Sequence, residues 1–359
     1  MNLIEALQTV PDYRSARGKR HPLWILLVFI VMGNLAGYHG DRPLGEFATR
    51  YGWQIAHRLQ IEINAVPSFS TFRRAHLGLN FTALSDAFAQ WMHQPIAVDE
   101  EMDAIDGKRI RQPLVDDEGK TRFVGLVSIF AHTQGITVDL APLTTADNSE
   151  SKGVQYLLET LQLTGVVFSL DALHAQKTLS LIVERGNDYL VALKENQGKL
   201  YPQIEDLIHY RPPQQTATTP VEYQHGRHEQ RWVTAYSADG IDPQRWRGAK
   251  TILCVERRRC TPNKCSIHQS YYLSSIATTA TLWNDMVRGH WSIENRLHWP
   301  KDVVLHEDET YGRDSNALLN ASLFRTITIN VLRLNGFHSL TSALRTLANQ
   351  VDQIFHLLH

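Results

Sequence analysis

The feature that most constrains this 359-residue chain is a change of hydrophobic period near residue 100. There "MDAIDGKRI" reads as a short apolar strand ending in polar residues, and "FVGLVSIFAHTQGITVDLAPL" as two strands joined by a turn at Thr133–Gly135. "KGVQYLLETLQL" has helical spacing, "VVFSLDA" reads as a buried strand, "AQKTLSLIVERG" as a helix stopped by Gly186, and "DYLVALKEN" as another strand. Three strands, helix, strand, helix, strand predicts a mixed α/β sheet, and in such sheets the active residues gather at strand ends.

The flanks read differently. Residues 1–95 are helical in pattern and mildly basic, with nine Lys and Arg against six Asp and Glu. "VPSFSTFRRAHLGL" looks like a helix start that Ser68 or Ser70 can cap, with Arg73 and Arg74 on its first turns. Such a helix can track a phosphate backbone, and a solvated helix end explains it equally well. "HPLWILLVFIVMGNLAGYHG" holds an apolar run of roughly 16 residues broken by Gly33 and Asn34, short of the ~20 that span a bilayer. It predicts a buried helix and no membrane partner. The proline-bounded loop "RPPQQTATTP" is followed by strand-like segments without a long helix, so 211–276 is expected to be a β-rich insertion in a region of 96–335. Helices resume near Thr281, and 336–359 is expected to be a C-terminal helix.

With 43% hydrophobic and 20% charged residues the chain can build a real core, and its net charge of −1 leaves only local patches to attract a polyanion. Three cysteines make no disulfide framework, and no cleavable signal follows Met1, so a cytoplasmic protein is expected. Cys254, Cys260, Cys265 and His268 lack the paired C-x2-C knuckle of ordinary structural zinc sites.

Three carboxylates stand out by position: Asp106 at the end of the first strand, Asp171 at the end of the fourth, and Glu294 on the helix after the insertion. If the first and fourth strands are neighbours, the two aspartates converge and a later helix can add the third. Hard oxygen ligands without a Cys or multi-His cage suit Mg²⁺ or Mn²⁺, and a pair of such ions can activate an attacking oxygen and stabilise a leaving one at a phosphodiester. Each acid alone is equally a helix cap or an ion-pair member.

"IDGKRIR", "LDALHAQ", "DYLVALKENQ", "HGRHEQR", "YYLSSI" and "RGHWSIENRLHWPKDV", followed by "HED", resemble in this order the DDE transposases of bacterial insertion sequences, in the subgroup of the H-repeat-associated proteins. "VPDYRSARGKRHPL" and "PSFSTFRRAHL" resemble that family's N-terminal associated region. The resemblance implies a ribonuclease H-like fold with a β-rich insertion, flanked by N- and C-terminal helical regions. It matches Asp106, Asp171 and Glu294 to the catalytic, metal-binding triad, with two Mg²⁺ or Mn²⁺ ions. The implied chemistry is nicking of transposon-end DNA, then attack of the freed 3′-hydroxyl on target DNA, by a homodimer or higher oligomer assembled on double-stranded DNA.

On one helix, Val287, His290, Trp291, Glu294, Leu297, His298 and Lys301 recur at steps of three or four and share a face. Arg288, His290, His298 and Lys301 can then meet phosphates around Glu294. Trp291 and Trp299 are expected to pack the helix on the sheet, the rival use being to stack on an unpaired base. The wider superfamily carries Tyr, Arg and Lys around this Glu; here the first two positions are Val287 and His290, and only Lys301 fits. Pro300 is expected to end or kink the helix near Trp299.

Asn196 and Gln197 can hold DNA or a water near the site, or cap the next helix. His174 and Gln176 can orient substrate. Arg227 and Arg231 can touch DNA from the insertion, or simply salt-bridge a strand. "ERRRCTPNK" is either a phosphate contact or an exposed hairpin tip. Two rival functions remain beside a transposase: a catalytically silent DNA-binding relative, and a metal-dependent nuclease that cuts without joining.

Overall fold

The computed structural model describes residues 1–16, 19–92, 102–115, 121–143, 150–160, 163–173, 176–224, 226–309 and 314–359. In chain order come α1 (Leu3–Gln8), α2 (Leu23–Leu35), α3 (Asp41–Arg58), α4 (Phe69–Gly78) and α5 (Phe81–Met92), then β1 (Met102–Arg109), β2 (Leu114–Val115), β3 (Thr121–Arg122), β4 (Gly125–Ala131) and β5 (Ile136–Leu143). Next are α6 (Glu150–Thr160), β6 (Val167–Leu170), α7 (Lys177–Glu184), β7 (Asp188–Leu193) and α8 (Leu200–Tyr210). The insertion supplies β8 (Gln215–Thr218), β9 (Glu222–Gln224), β10 (Arg227–Ser237), β11 (Thr251–Thr261) and β12 (Lys264–Ser274). After it come α9 (Ala280–His290), α10 (Ser315–Leu334), α11 (Leu340–Leu347) and α12 (Val351–His356).

The chain divides into two units: Met1–Ala97, Gly107–Gly153 and Ile293–His359 in the first, Val98–Asp106 and Val154–Ser292 in the second. In the second, the strand order is β1-β6-β7-β12-β11-β10-β8, with β9 beside β10. β1, β6 and β7 run parallel, whereas β12 joins β7 antiparallel and starts the antiparallel insertion. α9 lays Trp283, Met286 and Val287 on Val233, Leu253, Val255 and Tyr272. In the first unit the end of β1 is followed by β4 and β5. This mixed sheet, with β1, β6 and β7 parallel and a β-rich insertion, is the ribonuclease H-like class expected from the sequence.

The apolar run predicted to be buried is α2, and every residue of it except Trp24 is buried. It packs among α1, α3, α4, α10 and α12 of the first unit, and no helix among the described residues is long and apolar enough to cross a membrane. The single C-terminal helix expected over 336–359 is instead two, α11 and α12, because Asn349 turns the chain at φ 64°. α10 is buried on nearly every side, so its polar side chains must find partners. Asn320 Nδ2 donates to the carbonyls of His76 and Leu79, both at 2.9 Å. Asn330 meets β5 twice: its Nδ2 donates to the Thr137 carbonyl at 2.7 Å, and its Oδ1 accepts from the Thr137 N–H at 2.9 Å.

The helix expected to carry one face from Val287 to Lys301 does not keep α-helical winding. α9 stops at His290, and Glu294–His298 and Pro300–Val304 wind as π-helix. Pro300 has no N–H to continue an α-type ladder; the Trp299 N–H reaches Glu294 and the Leu305 N–H reaches Pro300 at 3.0 Å, five residues back in each case. The proline therefore widens the helix rather than ending it, and steps of three or four no longer return to one face. Glu294 is exposed, while Leu297, His298 and Lys301 are buried.

Lys301, expected near phosphate, is only 2% exposed. Its Nζ donates to Ser322 Oγ at 2.7 Å and lies 3.4 Å from Glu307 Oε1. Lys108 Nζ sits 3.1 Å from Glu307 Oε2 and also pairs with Asp302. Burial by itself would raise the Glu307 carboxyl, but the charges of Lys301, Lys108 and Arg325 drive it down from 4.5 to about 2.

Two outcomes are expected. Asn330→Ala leaves a buried N–H and C=O of Thr137 unpaired and should lower stability by about 2–4 kcal/mol in urea unfolding; a loss below about 1 kcal/mol would refute that role. Glu307→Gln removes the carboxylate that serves both lysines, leaving Lys301 with the Ser322 hydroxyl and Lys108 with Asp302, and should lower stability by about 3–5 kcal/mol near neutral pH. Because Glu307 is depressed in the folded state, its contribution is full above its ordinary value of 4.5 and is lost as pH falls towards about 2. The variant should therefore show a flatter fall of stability across that acid window.

Candidate active site

In the second unit, parallel pairing fixes where two of the acids stand. Met102–Ile105 of β1 lie opposite Val167–Leu170 of β6, ending with Ile105 against Leu170. The next residue on each chain is Asp106 and Asp171, so the register sets the two aspartates side by side at the end of the β1–β6 ladder. β1 itself runs on to Arg109, three residues beyond the expected end. β7 is the next parallel strand, with Leu170 opposite Val191.

From the end of β7, Lys194 Nζ donates to both oxygens of Asp171, at 2.9 and 3.2 Å. Gln197 Nε2 and Asn196 Nδ2 both donate to the carbonyl of Ala172, at 2.6 and 3.2 Å, and Gln197 Oε1 accepts the Lys194 N–H at 2.7 Å. Asn196 and Gln197 thus tie the β7 loop to the turn that carries Asp171; neither caps α8, whose N-cap is Lys199. His290 Nδ1 lies 3.1 Å from Ser169 Oγ, which donates to the Asp103 carbonyl at 3.3 Å, so the end of α9 is fastened two residues before Asp171. Burial alone would raise the Asp171 carboxyl; the Lys194 hydrogen bond, the Ala172 N–H and the charges of Lys194 and His290 outweigh it and hold the group below its ordinary value. Lys194 escaped sequence reasoning because a lone lysine after a strand carries no signal until β6 and β7 are known to be neighbours. Gln176 is exposed at the start of α7, and His174 lies outside the described residues.

In the first unit, Glu294 opens the π-helical stretch. Its Oε2 lies 3.2 Å from His298 Nδ1. That hydrogen bond, with the charges of His298, Lys108 and Arg111, prevails over burial and holds Glu294 below its ordinary value. His298, expected among phosphates, is a buried support for Glu294 instead. Arg296 donates to the carbonyls of His132 and, at 3.2 Å, Gln134 in the β4–β5 turn. Its guanidinium fills the space where a Cβ on Gly135 would stand, and Gly135 has φ +74°, so this anchor needs glycine there. Also in this unit, Arg73 and Arg74 are exposed on α4 behind the N-cap Ser68.

Trp291 and Trp299, expected to pack on the sheet, are 62% and 51% exposed. Arg288 forms a two-pronged pair with Glu222, with its Nη2 3.2 Å from Oε2. Arg231 and Arg259 pair with Glu229, and Arg227 lies 3.9 Å from it, so the salt-bridged strand is the arrangement found for Arg227 and Arg231. "ERRRCTPNK" is the tip of the β11–β12 hairpin. There Cys260 faces Cys265 across the ladder and the two form a disulfide, a single local bond that the sequence reading did not foresee. The zinc arrangement also fails on geometry. Cys265 and His268, three apart on one strand, point to opposite faces, while Cys254 is buried six residues from Cys260, about 20 Å along the strand.

Among the described residues, no group of three or more His, Cys, Asp or Glu side chains forms a ready metal cage. The chemistry of the aspartate pair nevertheless suits a divalent cation: two hard carboxylate donors at neighbouring backbone positions, one of them already held against a cation.

The comparisons with known proteins agree with this frame. The model of the family described as "Transposase DDE domain" matches residues 99–331, and the one described as "DDE_Tnp_1-associated" matches residues 4–92. "Putative protein YbfL" of Escherichia coli K12 is 30% identical over 92% of this chain and 90% of its own length. "H repeat-associated putative transposase YhhI" of the same strain is 29% identical over 92% and 90%. The "Uncharacterized protein in dhlA 3'region" of Xanthobacter autotrophicus is 30% identical over 75% of this chain and 92% of its own length. With the family match covering the strands that bear Asp106 and Asp171 and the segment that bears Glu294, the chain belongs to the DDE transposase family.

Proposed function

We propose that this transposase cleaves transposon-end DNA and joins the freed 3′-hydroxyl to target DNA, with Asp106, Asp171 and Glu294 as the catalytic carboxylates that hold two Mg²⁺ or Mn²⁺ ions. The observation that carries the proposal is the parallel register ending at Ile105 and Leu170, which sends Asp106 and Asp171 out as neighbours. When bound, the cation activates the attacking oxygen and stabilises the leaving one. The chain's own residues do the rest. Asn196 and Gln197 hold the Asp171 turn in place, and Lys194 lies on its carboxylate. His290 fixes the end of α9 through Ser169, and His298 and Arg296 orient the segment that presents Glu294.

DNA is the partner this family implies. The exposed Arg73 and Arg74 suit phosphate contacts from an N-terminal DNA-binding region of about residues 1–95. Arg227, Arg231 and Arg288 suit the same use where their glutamate partners yield to phosphate. The exposed Trp291 and Trp299 suit stacking on an unpaired base. Assembly as a homodimer or higher oligomer on paired ends belongs to the same proposal.

One incubation with a donor end and a plasmid target separates the readings: joined products support the proposal, cleaved but unjoined ends a nuclease, and retention without cleavage a silent DNA-binding relative. Asp106→Asn, Asp171→Asn and Glu294→Gln are each expected to abolish cleavage while leaving end binding near that of the parent. A Glu294→Gln variant that cleaves at the parental rate would remove that residue from the site. Replacing Arg73 and Arg74 together by Ala should weaken end binding and reduce the slope of log affinity against log salt by about 2; an unchanged slope would take α4 off the DNA.

A further inference from the structure

Lys194 does more than decorate the end of β7. Its backbone is fixed by Gln197 Oε1, and Gln197 and Asn196 grip the Ala172 carbonyl, so the loop is held to the Asp171 turn without help from the ammonium. The ammonium is nevertheless placed on both oxygens of Asp171, at 2.9 and 3.2 Å, just past β6, whose parallel neighbour β1 carries Asp106. Its side chain is 63% exposed on a flexible four-carbon stem, so it can leave without disturbing the loop.

We propose that Lys194 is a positioning residue whose ammonium occupies, on the two oxygens of Asp171, the place a divalent cation takes, and that it must be displaced for the ion to bind. This rests on the metal role given to Asp171 above. An ion taken by both oxygens would stand against the ammonium as a like charge at close range, so the two compete for Asp171. Before the ion arrives, Lys194 holds the Asp171 carboxylate forward and offsets its repulsion with Asp106. Once displaced, it stands beside the bound ion as a like charge. Metal binding is therefore weaker with Lys194 than without it, by a modest factor, since a solvent-exposed pair is a weak one.

The test titrates Mn²⁺ alone into the full-length protein without DNA and follows free Mn²⁺ by electron paramagnetic resonance. Lys194→Met and Lys194→Gln, both confirmed as folded by thermal unfolding, are expected to bind Mn²⁺ roughly threefold to fivefold more tightly than the parent. Lys194→Arg should stay near the parent, and Asp171→Asn should bind at least about tenfold more weakly. A merely structural lysine would not tighten metal binding when removed. If both uncharged variants bind equally or more weakly while Asp171→Asn is impaired, the proposal fails and the metal reading stands. If Asp171→Asn binds as the parent does, both fail together.

Discussion

The parallel pairing of β1 with β6 is the constraint on which the rest depends. Its register, Ile105 opposite Leu170, is set by two strands buried over that stretch, and slipping it by one residue would turn every side chain to the wrong face. The same pairing decides which residues emerge next. Asp106 and Asp171 need no special loop to meet; the ladder delivers them. Two carboxylates delivered together repel, and the surrounding cations answer that repulsion: Lys194 directly on Asp171, and His290 through its charge.

The third acid is supported by different means. Glu294 stands at the start of a π-wound stretch whose shape follows from Pro300, and it is steadied by His298 beneath it and by Arg296 seated over Gly135. A widened helix costs hydrogen-bond quality, and here the cost is met by burying Leu297, His298 and Lys301 and by the ion cluster around Glu307. The residues that hold this stretch are thus a mixture of charges and aromatics because one side of it is core and the other is solvent.

Much of this was legible in the sequence because it follows short, local rules. The strand and helix order from residue 102 to 193, the β-rich insertion, the buried α2 and the start of α4 can all be read from period and punctuation. What was not legible depends on partners distant in sequence. Lys301 looks like a surface cation until Ser322 and Glu307 are seen around it. The exposed Trp291 and Trp299 follow from a change of winding that α-helical spacing cannot foresee. The cysteine pair becomes a disulfide only because the hairpin register sets Cys260 opposite Cys265. In the candidate site, the acids were readable as strand ends, whereas Lys194 and Arg296 acquire meaning only from neighbouring strands and turns.

The hydrogen bonds that α10 sends to β5 bear on how this chain behaves among copies of itself. β5 ends the strand order, and a bare terminal strand is a template onto which another chain can add by backbone pairing. Asn330 takes both polar groups of Thr137, and Ser85 donates to the Leu140 carbonyl at 3.2 Å, so part of that template is already spent within the fold. Copies of this chain that meet are thereby hindered from stitching their sheets together along this strand.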